Sequence, residues 1–300
     1  MLSILIPTYN FVVVDLVRQL NNQCQEANIP YEIVCYDDFS VEEFRLKNRK
    51  LDAEFGVSYI ELGENKGRSK IRNMLAQNAR YEQLLFIDCD SEIDNALFIR
   101  KYIESIELRK VIAGGRKYAQ EKPSEKSKML HWYYGTRRES LSVKKRSENP
   151  YRYFHSNNFM ISRDLMMKFP FEEKISTYGY EDSLFAATLE NEGINIKHIE
   201  NPLIHKGVED TQDFLRKSKL AAENLAILYH SEALNNTRMI AFHENIKKIG
   251  FNSLLKIIIR SRKDQMLKNL HSENPNLFYF DLFRYDVFIN KLSFLKASSS

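Results

Sequence analysis

Hydrophobic and polar positions along residues 1–115 predict short strands alternating with amphipathic helices. Apolar runs of a few residues indicate strands, and apolar residues at helical spacing separate them. The predicted strands are Leu2–Ile6, Tyr31–Tyr36, Val57–Glu61, Leu84–Ile87 and Val111–Ala113. The predicted helices are Asp15–Ala27, Val41–Leu51, Gly67–Arg80 and Asn95–Leu108. This alternation is typical of an α/β fold whose mostly parallel central sheet is flanked by helices.

The remainder of the chain predicts a different organisation. Residues 116–152 break the alternation, and we interpret them as a long mobile loop with a functional role. Ordered structure is expected to resume at Phe154–Ile161, and a helix is predicted over Glu181–Glu192, where Gly193 ends it. From Thr211 onward apolar residues recur at helical spacing, which predicts a helical extension over residues 211–300.

Polar segments follow four of the predicted strands. The carboxyl ends of parallel strands share one edge of a sheet, where such folds bind ligands. We therefore expect the four segments to converge on one site. They are Pro7-Thr8-Tyr9-Asn10, Asp37-Asp38-Phe39-Ser40, Gly63-Glu64-Asn65-Lys66-Gly67-Arg68 and Asp88-Cys89-Asp90.

Asp88 and Asp90 are two positions apart just past a buried strand, so together they can reach a divalent cation and the ribose of one nucleotide. Oxygen ligands suit Mg²⁺ or Mn²⁺, which offset negative charge on a diphosphate. The alternative is a solvated acidic turn. His205 follows a short apolar segment, and a neutral imidazole there can complete the metal site or serve a structural role.

Charged residues near the other strand ends also suit a nucleotide. Arg68 and Arg72 share one face of a helix whose N-terminus favours anions, although they also fit an ordinary exposed basic face. Asp37 and Asp38 can accept hydrogen bonds from a base or a ribose, or cap the next helix.

Glu181 and Asp182 precede an apolar helix face, which places them in the first turn of a helix. A carboxylate there can take the proton of an acceptor hydroxyl as the bond to it forms. The alternative is an acidic first turn that the helix dipole favours.

Charge and cysteine content restrict the class of protein. A net charge of only +4 argues against a polycation that coats nucleic acid. The basic run from Lys247 to Lys268 suits either an anionic membrane surface or a packed helix with its lysines in water.

Cys24, Cys35 and Cys89 have no CxxC spacing, which favours a reducing compartment. We expect a cytoplasmic protein, with peripheral contact at the inner face of the cell membrane as an open alternative.

Taken together, the motifs resemble those of the family 2 glycosyltransferases, which are inverting enzymes of the GT-A fold. The likeness covers roughly residues 2–210. It implies a GT-A domain over 1–210, with a nucleotide-binding half at 1–115 and an acceptor half at 116–210. The matching parts are Ser3–Asn10, Glu32–Ser40, Asn65–Asn73, Asp88–Asp90, Gly179–Asp182, and Asn158 with Arg163.

The resemblance implies transfer of a sugar from a nucleotide-diphospho-sugar, with uridine diphosphate as the nucleotide and Mn²⁺ or Mg²⁺ as cofactor. The acceptor is a hydroxyl of a glycan or a lipid-linked saccharide. Asp182 would be the general base, and Glu181 would orient the acceptor. Asp88 would contact the ribose or the metal, and Asp90 and His205 would bind the metal. The nucleotide-sugar would lie among Pro7, Thr8, Tyr9, Asn10, Asp37, Asp38, Asn65, Gly67, Arg68, Arg72, Asp88 and Cys89.

Two further features bear on this resemblance. Trp132, Tyr133 and Tyr134 suggest an aromatic platform for the acceptor, because aromatic rings stack well on sugars, and Asn158 is assigned to the acceptor as well. The sequence departs from the family at Phe39, where a glycine or another small residue is usual.

Two other functional classes remain open. A non-catalytic protein that binds nucleotide-sugars or glycans as a scaffold would have little need of Asp182 and the two carboxylates of the Asp-x-Asp motif. A nucleotidyltransferase would usually bring a Gly-rich phosphate loop near the N-terminus, and residues 7–14 contain no glycine.

Overall fold

The computed structural model describes residues 1–174, 178–250 and 252–298. The chain forms two compact units, each assembled from three segments. The first comprises Met1–Tyr118, Ser140–Ser176 and Glu181–Gly207, and the second comprises Ala119–Glu139, Thr177–Tyr180 and Val208–Ser300. The described part of the second unit is helical. The division predicted from the sequence, at residues 115 and 210, differs from these two units and stays a prediction.

The first unit contains both sheets. The larger has the order β3-β2-β1-β4-β8-β6-β9, in which only β8 runs antiparallel to its neighbours, and the smaller has the order β5-β10-β7. The predicted α/β fold with a mostly parallel sheet is therefore confirmed. The strands are β1 Leu2–Thr8, β2 Tyr31–Asp37, β3 Val57–Glu61, β4 Gln83–Ile87, β5 Ser91–Glu92, β6 Lys110–Ala113, β7 Arg116–Lys117, β8 Asn158–Ser162, β9 Asn195–His198 and β10 Leu203–His205.

The helices of the described residues are α1 Val14–Glu26, α2 Glu42–Asn48, α3 Arg68–Asn78, α4 Phe98–Glu104, α5 Met129–Tyr134, α6 Val143–Ser147, α7 Arg163–Lys168, α8 Glu181–Asn191, α9 Thr211–His230, α10 Arg238–Lys248, α11 Asn252–Ser261, α12 Lys263–Leu270 and α13 Leu277–Ser298. Those predicted before residue 115 lie within a few residues of α1–α4. The predicted loop over 116–152 is wrong, because α5, a π-helical turn at Gly135–Glu139 and α6 occupy much of it.

Both faces of the large sheet are buried, because side chains of a strand point alternately to opposite faces. In β1, Ile4 and Ile6 belong to the hydrophobic cluster that includes residues of α1 and α4. Leu5 belongs to the opposite cluster, which includes residues of α3, α7 and α8. The sheet is thus the middle of three layers, with helices covering both of its faces.

The second unit has a core of its own. Leu130 and Trp132 of α5 cluster with Leu215 of α9, Leu270 of α12 and Phe280 of α13. Among the described residues, no helix combines the length and the apolar character that crossing a bilayer requires.

Candidate active site

The aspartate that ends β2 is fully engaged inside the first unit. The Asp37 side chain is wholly buried, and its Oδ1 accepts a hydrogen bond from the Ser40 backbone N–H at 2.7 Å. Its Oδ2 accepts from the Tyr59 hydroxyl at 2.8 Å. A buried carboxylate is tolerable when its oxygens are hydrogen-bonded in this way. Asp37 therefore fixes the loop that follows β2.

Asp38 connects that loop to the start of α3. Its Oδ1 accepts from the Lys66 N–H at 2.5 Å, and its Oδ2 accepts from the Gly67 N–H at 3.0 Å. Asn65 Nδ2 donates to the Asp38 carbonyl at 2.9 Å. Burial raises the pKa of Asp38 above its ordinary value, against the opposing effect of the two backbone hydrogen bonds. These bonds satisfy donors before the helix begins and thereby aim α3 at the sheet edge.

The segment after β1 packs beside the β2 loop. Asn10 has a positive φ of 48°, its N–H donates to Ser40 Oγ at 2.7 Å, and its Oδ1 accepts from the Val41 N–H at 2.9 Å. Thr8 is buried, and Pro7 is partly buried. Tyr9 has 53% of its surface exposed, so it is the residue of Pro7-Thr8-Tyr9-Asn10 that presents most of its side chain to a ligand.

The backbone at Phe39 has a conformation that favours glycine. Its φ is +65°, in the left-handed region that disfavours a bulky side chain. Half of the Phe39 side chain is exposed, and the Arg45 guanidinium lies 5.8 Å from the ring centroid. The backbone therefore retains the glycine-like conformation, and the substitution adds an aromatic ring at the surface.

Asp88 is held by two arginines. Arg72, whose side chain is only 4% exposed, places Nη2 2.6 Å from Asp88 Oδ1. Arg116 places Nη2 3.6 Å from Asp88 Oδ2. The Arg72 Nη1 also donates to the Arg68 carbonyl at 3.1 Å, which braces the guanidinium against α3. Both Asp88 oxygens therefore face cationic groups of the protein.

The adjoining residues of the Asp-x-Asp motif have different surroundings. Burial raises the pKa of the Cys89 thiol, so that group stays neutral. Asp90 Oδ1 lies 3.3 Å from His205 Nδ1. Burial acts to raise the pKa of Asp90, but the pairing with His205 and the charges of Arg116 and Arg68 lower it below the ordinary value. The Asp90 carboxylate is therefore ionised.

The surroundings of Asp90 fit a cation in part. A Cβ added to Gly207 would lie 2.6 Å from Asp90 Oδ2 and 3.0 Å from His205 Cε1, so only glycine leaves the carboxylate room. Among the residues that the structure describes, no three His, Cys, Asp or Glu side chains form a metal-binding group by themselves. The third predicted ligand, Asp88, faces arginines instead. Asp90 and His205 suit a cation whose other ligands come from a diphosphate and water.

The predicted catalytic carboxylates lie in the first turn of α8. Arg68 Nη1 contacts Glu181 Oε1 at 3.4 Å, and His155 Nδ1 contacts Asp182 Oδ2 at 3.5 Å. Burial acts to raise the pKa of Asp182, but the hydrogen bond and charge of His155, with help from the Ser183 N–H, lower it. Asp182 is thus an ionised carboxylate able to accept a proton.

Arg116 adds positive charge to this part of the first unit. Its guanidinium contacts Asp88, and its charge helps to lower the pKa of Asp90 and of Asp182. The sequence motifs include neither Arg116 nor His155. Arg116 comes three residues after β6 ends at Ala113, so the rule applied to the other strand ends would have found it.

The residues predicted to bind the acceptor have interior positions. Asn158 is fully buried, its Nδ2 donates to the Gly115 and Asn201 carbonyls, and its Oδ1 accepts from the Tyr102 hydroxyl at 2.6 Å. In the second unit, Trp132 and Tyr133 are 9% and 7% exposed, whereas stacking on a sugar requires an open ring face. We therefore leave Asn158, Trp132 and Tyr133 out of the acceptor site proposed below.

Residues 3–170 match the family described as glycosyl transferase family 2. The match covers more than half of the 300 residues, so the chain belongs to this family. The predicted family is therefore confirmed, and with it membership of the glycosyltransferase class of enzymes.

Individual proteins agree with this assignment. The chain is 25% identical to the chondroitin synthase of Escherichia coli over 236 residues, which covers 68% of this chain and 34% of that protein. It is similar to S. aureus TarS 1–349 in complex with UDP-GlcNAc, with a TM-score of 0.52, 19% identity and coverage of 99% and 92% of the two chains. It is also similar to the mannosyltransferase PcManGT from Pyrobaculum calidifontis in complex with GDP-Man and Mn²⁺, with a TM-score of 0.53, 14% identity and coverage of 76% and 64%.

These structural similarities show the fold, and the predicted GT-A fold is confirmed by them. The curated relatives are longer proteins. The chain matches between about a quarter and a third of their length.

Proposed function

We propose that the chain transfers a sugar from a UDP-sugar to a hydroxyl of a glycan or lipid-linked saccharide, with inversion at the anomeric carbon. The observation that carries the proposal is the site at the end of β4, where Arg72 and Arg116 contact Asp88 and His205 contacts Asp90. The UDP-GlcNAc complex of the structurally similar TarS supports uridine diphosphate as the nucleotide. The likeness to chondroitin synthase supports a glycan acceptor.

Arginine side chains supply the donor site with positive charge. Arg68 and Arg72 lie in the first two turns of α3, whose N-terminus favours anions. Arg116, like Arg72, contacts Asp88. Guanidinium groups bind diphosphate oxygens well, because their donors match phosphate geometry. We assign Asp88 to a ribose hydroxyl, since Arg72 holds the carboxylate in a fixed position.

We assign Asp90 and His205 to a divalent cation, Mn²⁺ or Mg²⁺. The cation, when bound, would offset the charge that develops on the departing nucleoside diphosphate. The Mn²⁺ complex of the structurally similar PcManGT supports this assignment. Because residue 207 is a glycine, no side chain at that position contacts the Asp90 carboxylate.

We assign the proton transfer to Asp182, which lies in the first turn of α8. The acceptor oxygen forms a bond to the anomeric carbon on the face opposite the diphosphate, and its proton passes to the Asp182 carboxylate. The bond between that carbon and the diphosphate oxygen breaks, and the diphosphate leaves with the electron pair. We assign Glu181, which contacts Arg68, to a hydrogen bond from the acceptor sugar that orients it.

A lipid-linked acceptor would agree with exposed apolar and basic residues of the second unit. Ile249 and Ile257 are 71% and 63% exposed, and Lys248 and Arg260 near them in the chain are exposed. We propose peripheral contact of these residues with anionic lipid. Cosedimentation with phosphatidylglycerol vesicles, compared with phosphatidylcholine vesicles, tests it. Equal recovery with both lipids, or with neither, would remove the proposal.

The function is tested by measuring UDP or GDP release from a panel of nucleotide-sugars with glycan acceptors, in Mn²⁺ and in Mg²⁺. Asp182→Asn should lower kcat by about 10²–10⁴-fold and leave UDP affinity within about twofold, because it removes only proton transfer. Asp164→Asn is the matched control, since Asp164 also lies in the first turn of a helix.

The control variant should retain wild-type kcat. Near-wild-type turnover of Asp182→Asn would show that another group is the base. Nucleotide binding without transfer or hydrolysis across the whole panel would instead favour the non-catalytic scaffold.

A further inference from the structure

A buried arginine packs against the segment that joins β6 to β7. Gly114 and Gly115 form this segment, and β7 begins at Arg116. Arg146 of α6 is only 3% exposed, and a Cβ added to Gly115 would lie 2.7 Å from its guanidinium carbon. Gly115 also has a φ of +93°, in the region that favours glycine. The guanidinium therefore meets the backbone directly, one residue before Arg116.

All the donors of this guanidinium are used. An arginine presents five N–H groups in a fixed planar fork. One of the Arg146 Nη1 contacts is His198 Nδ1, at 2.8 Å. The other acceptors are backbone carbonyls at 2.9–3.2 Å, those of Ala113, Gly114, Leu141 and Ile199. Because the fork is rigid, Arg146 fixes the end of β6 relative to the end of β9.

His198 can accept a hydrogen bond because its imidazole is neutral. Burial and the charge of Arg146 lower the pKa of His198 to about 4, against the opposing effect of a hydrogen bond to Pro150. The Nε2–H group then donates to the Pro150 carbonyl at 2.9 Å, which leaves Nδ1 to accept from Arg146. The buried guanidinium is thus satisfied by neutral acceptors.

Both peptide units before Arg116 are held in place. Arg146 binds the Gly114 carbonyl, and the Gly115 carbonyl accepts from Asn158 Nδ2 at 3.0 Å. Arg116 itself extends its guanidinium to 3.6 Å from Asp88 Oδ2. The position of these two carbonyls therefore determines where the Arg116 side chain begins.

We propose that Arg146 is a positioning residue for the nucleotide site and that it acts through Arg116. By binding the Gly114 carbonyl and packing on Gly115, it sets the point from which Arg116 reaches Asp88. All of these residues belong to the first unit. The inference rests on the proposed function, because it takes Arg116 as part of a site for a nucleoside diphosphate.

The experiment measures UDP binding to the full chain by titration calorimetry in Mn²⁺. Arg146→Lys keeps the positive charge but replaces the planar fork with an ammonium group, which cannot reach the same set of acceptors. The Kd for UDP should rise by about 5–10-fold, as part of a charged hydrogen bond is lost. The number of UDP sites per chain should stay unchanged. A merely structural role would lower that number and leave the Kd of the folded fraction as in the wild type.

A double-mutant cycle tests whether Arg146 acts through Arg116. Arg116→Met should raise the Kd for UDP by about tenfold or more. In that background Arg146→Lys should change the Kd by less than about twofold, because the side chain that it positions is already gone. Additive effects of the two substitutions would overturn the positioning role.

Two more variants keep the test independent of folding. His198→Leu removes one acceptor and no charge, so it should fold even if Arg146→Lys does not, and it should raise the Kd for UDP by about two- to threefold. Lys101→Met is the matched control. Lys101 donates to the Glu200 carbonyl at 3.0 Å, one residue past the Ile199 carbonyl that Arg146 binds. This control should retain the wild-type Kd.

The outcomes separate this inference from the function on which it rests. If the wild-type protein binds UDP and Arg116→Met weakens binding, but Arg146→Lys and His198→Leu keep the wild-type Kd, the role of Arg146 is refuted. Unchanged binding in Arg116→Met would remove Arg116 from the site, and the role of Arg146 with it. If the wild-type protein binds neither UDP nor GDP, the proposed function itself fails.

Discussion

Removing the Arg72 guanidinium should destabilise the first unit as well as weaken donor binding. Arg72 is almost fully buried on α3, its Nη2 lies 2.6 Å from Asp88, and its guanidinium carbon lies 5.7 Å from the centroid of Phe171. Arg72→Met keeps the aliphatic part of the side chain and its packing. The variant therefore isolates the loss of the charge and of its hydrogen bonds.

The magnitude follows from the burial of the pair. Removing one partner of a fully buried ion pair costs about 3–5 kcal/mol, because the remaining charge is left without compensation. Asp88 is 22% exposed and keeps Arg116 at 3.6 Å, so the penalty should be smaller. We expect about 2–3 kcal/mol in the free energy of unfolding, or about 4–12 °C in Tm.

The assay is urea unfolding followed by circular dichroism at pH 7 without nucleotide. Arg18→Met is the matched control, because Arg18 pairs with Glu54 at 2.9 Å while its side chain is 52% exposed, and surface pairs contribute about 1 kcal/mol or less. The double variant Arg72→Met with Asp88→Asn should recover part of the loss. Equal unfolding free energies for Arg72→Met and Arg18→Met would refute the reasoning.

Three other predictions concern pH, the metal and the β2 loop. His155 lowers the pKa of Asp182 against the effect of burial, so the folded carboxylate stays ionised as the pH falls. We therefore expect kcat/KM to decline only below pH 3.8. A decline centred above about pH 5 would contradict this. Gly207→Ala should weaken Mn²⁺-dependent UDP binding, measured by titration calorimetry, by about tenfold or more, because the added Cβ displaces Asp90. The control is Gly63→Ala, where an added Cβ meets nothing within 4 Å. The free energy of unfolding of Phe39→Gly should be about 1 kcal/mol higher than that of Phe39→Ala, because only glycine adopts a φ of +65° without strain. Equal free energies in urea unfolding would show that no strain is present.

Much of the fold could be predicted because the first unit has a regular pattern. Each parallel strand is a short apolar run buried on both faces, and a polar segment follows at its carboxyl end. The segment over 116–152 was mispredicted because its ordered parts are too short to show a period. The six residues of α5 bury their apolar side chains against helices more than 80 positions later, a contact that local spacing does not encode.

The site was predictable where its residues follow strands and not where long-range pairing places them. Asp88, Asp90 and Arg72 were identified from strand and helix ends. The contact of His155 with Asp182 depends on how the segment before β8 folds back on α8, and a histidine in a loop gives no sign of this. The burial of Trp132 and Tyr133 could not be predicted, because exposed and buried aromatic clusters look alike in sequence.

The segmented core of the second unit also affects synthesis on the ribosome. Trp132 and its partner Phe280 are about 150 residues apart, so at about 5–20 residues per second the early aromatic segment waits about 8–30 s for its partner helix. During that interval its apolar rings lack their final cover. A nascent chain of this protein should therefore bind holdase chaperones until α13 has emerged from the exit tunnel.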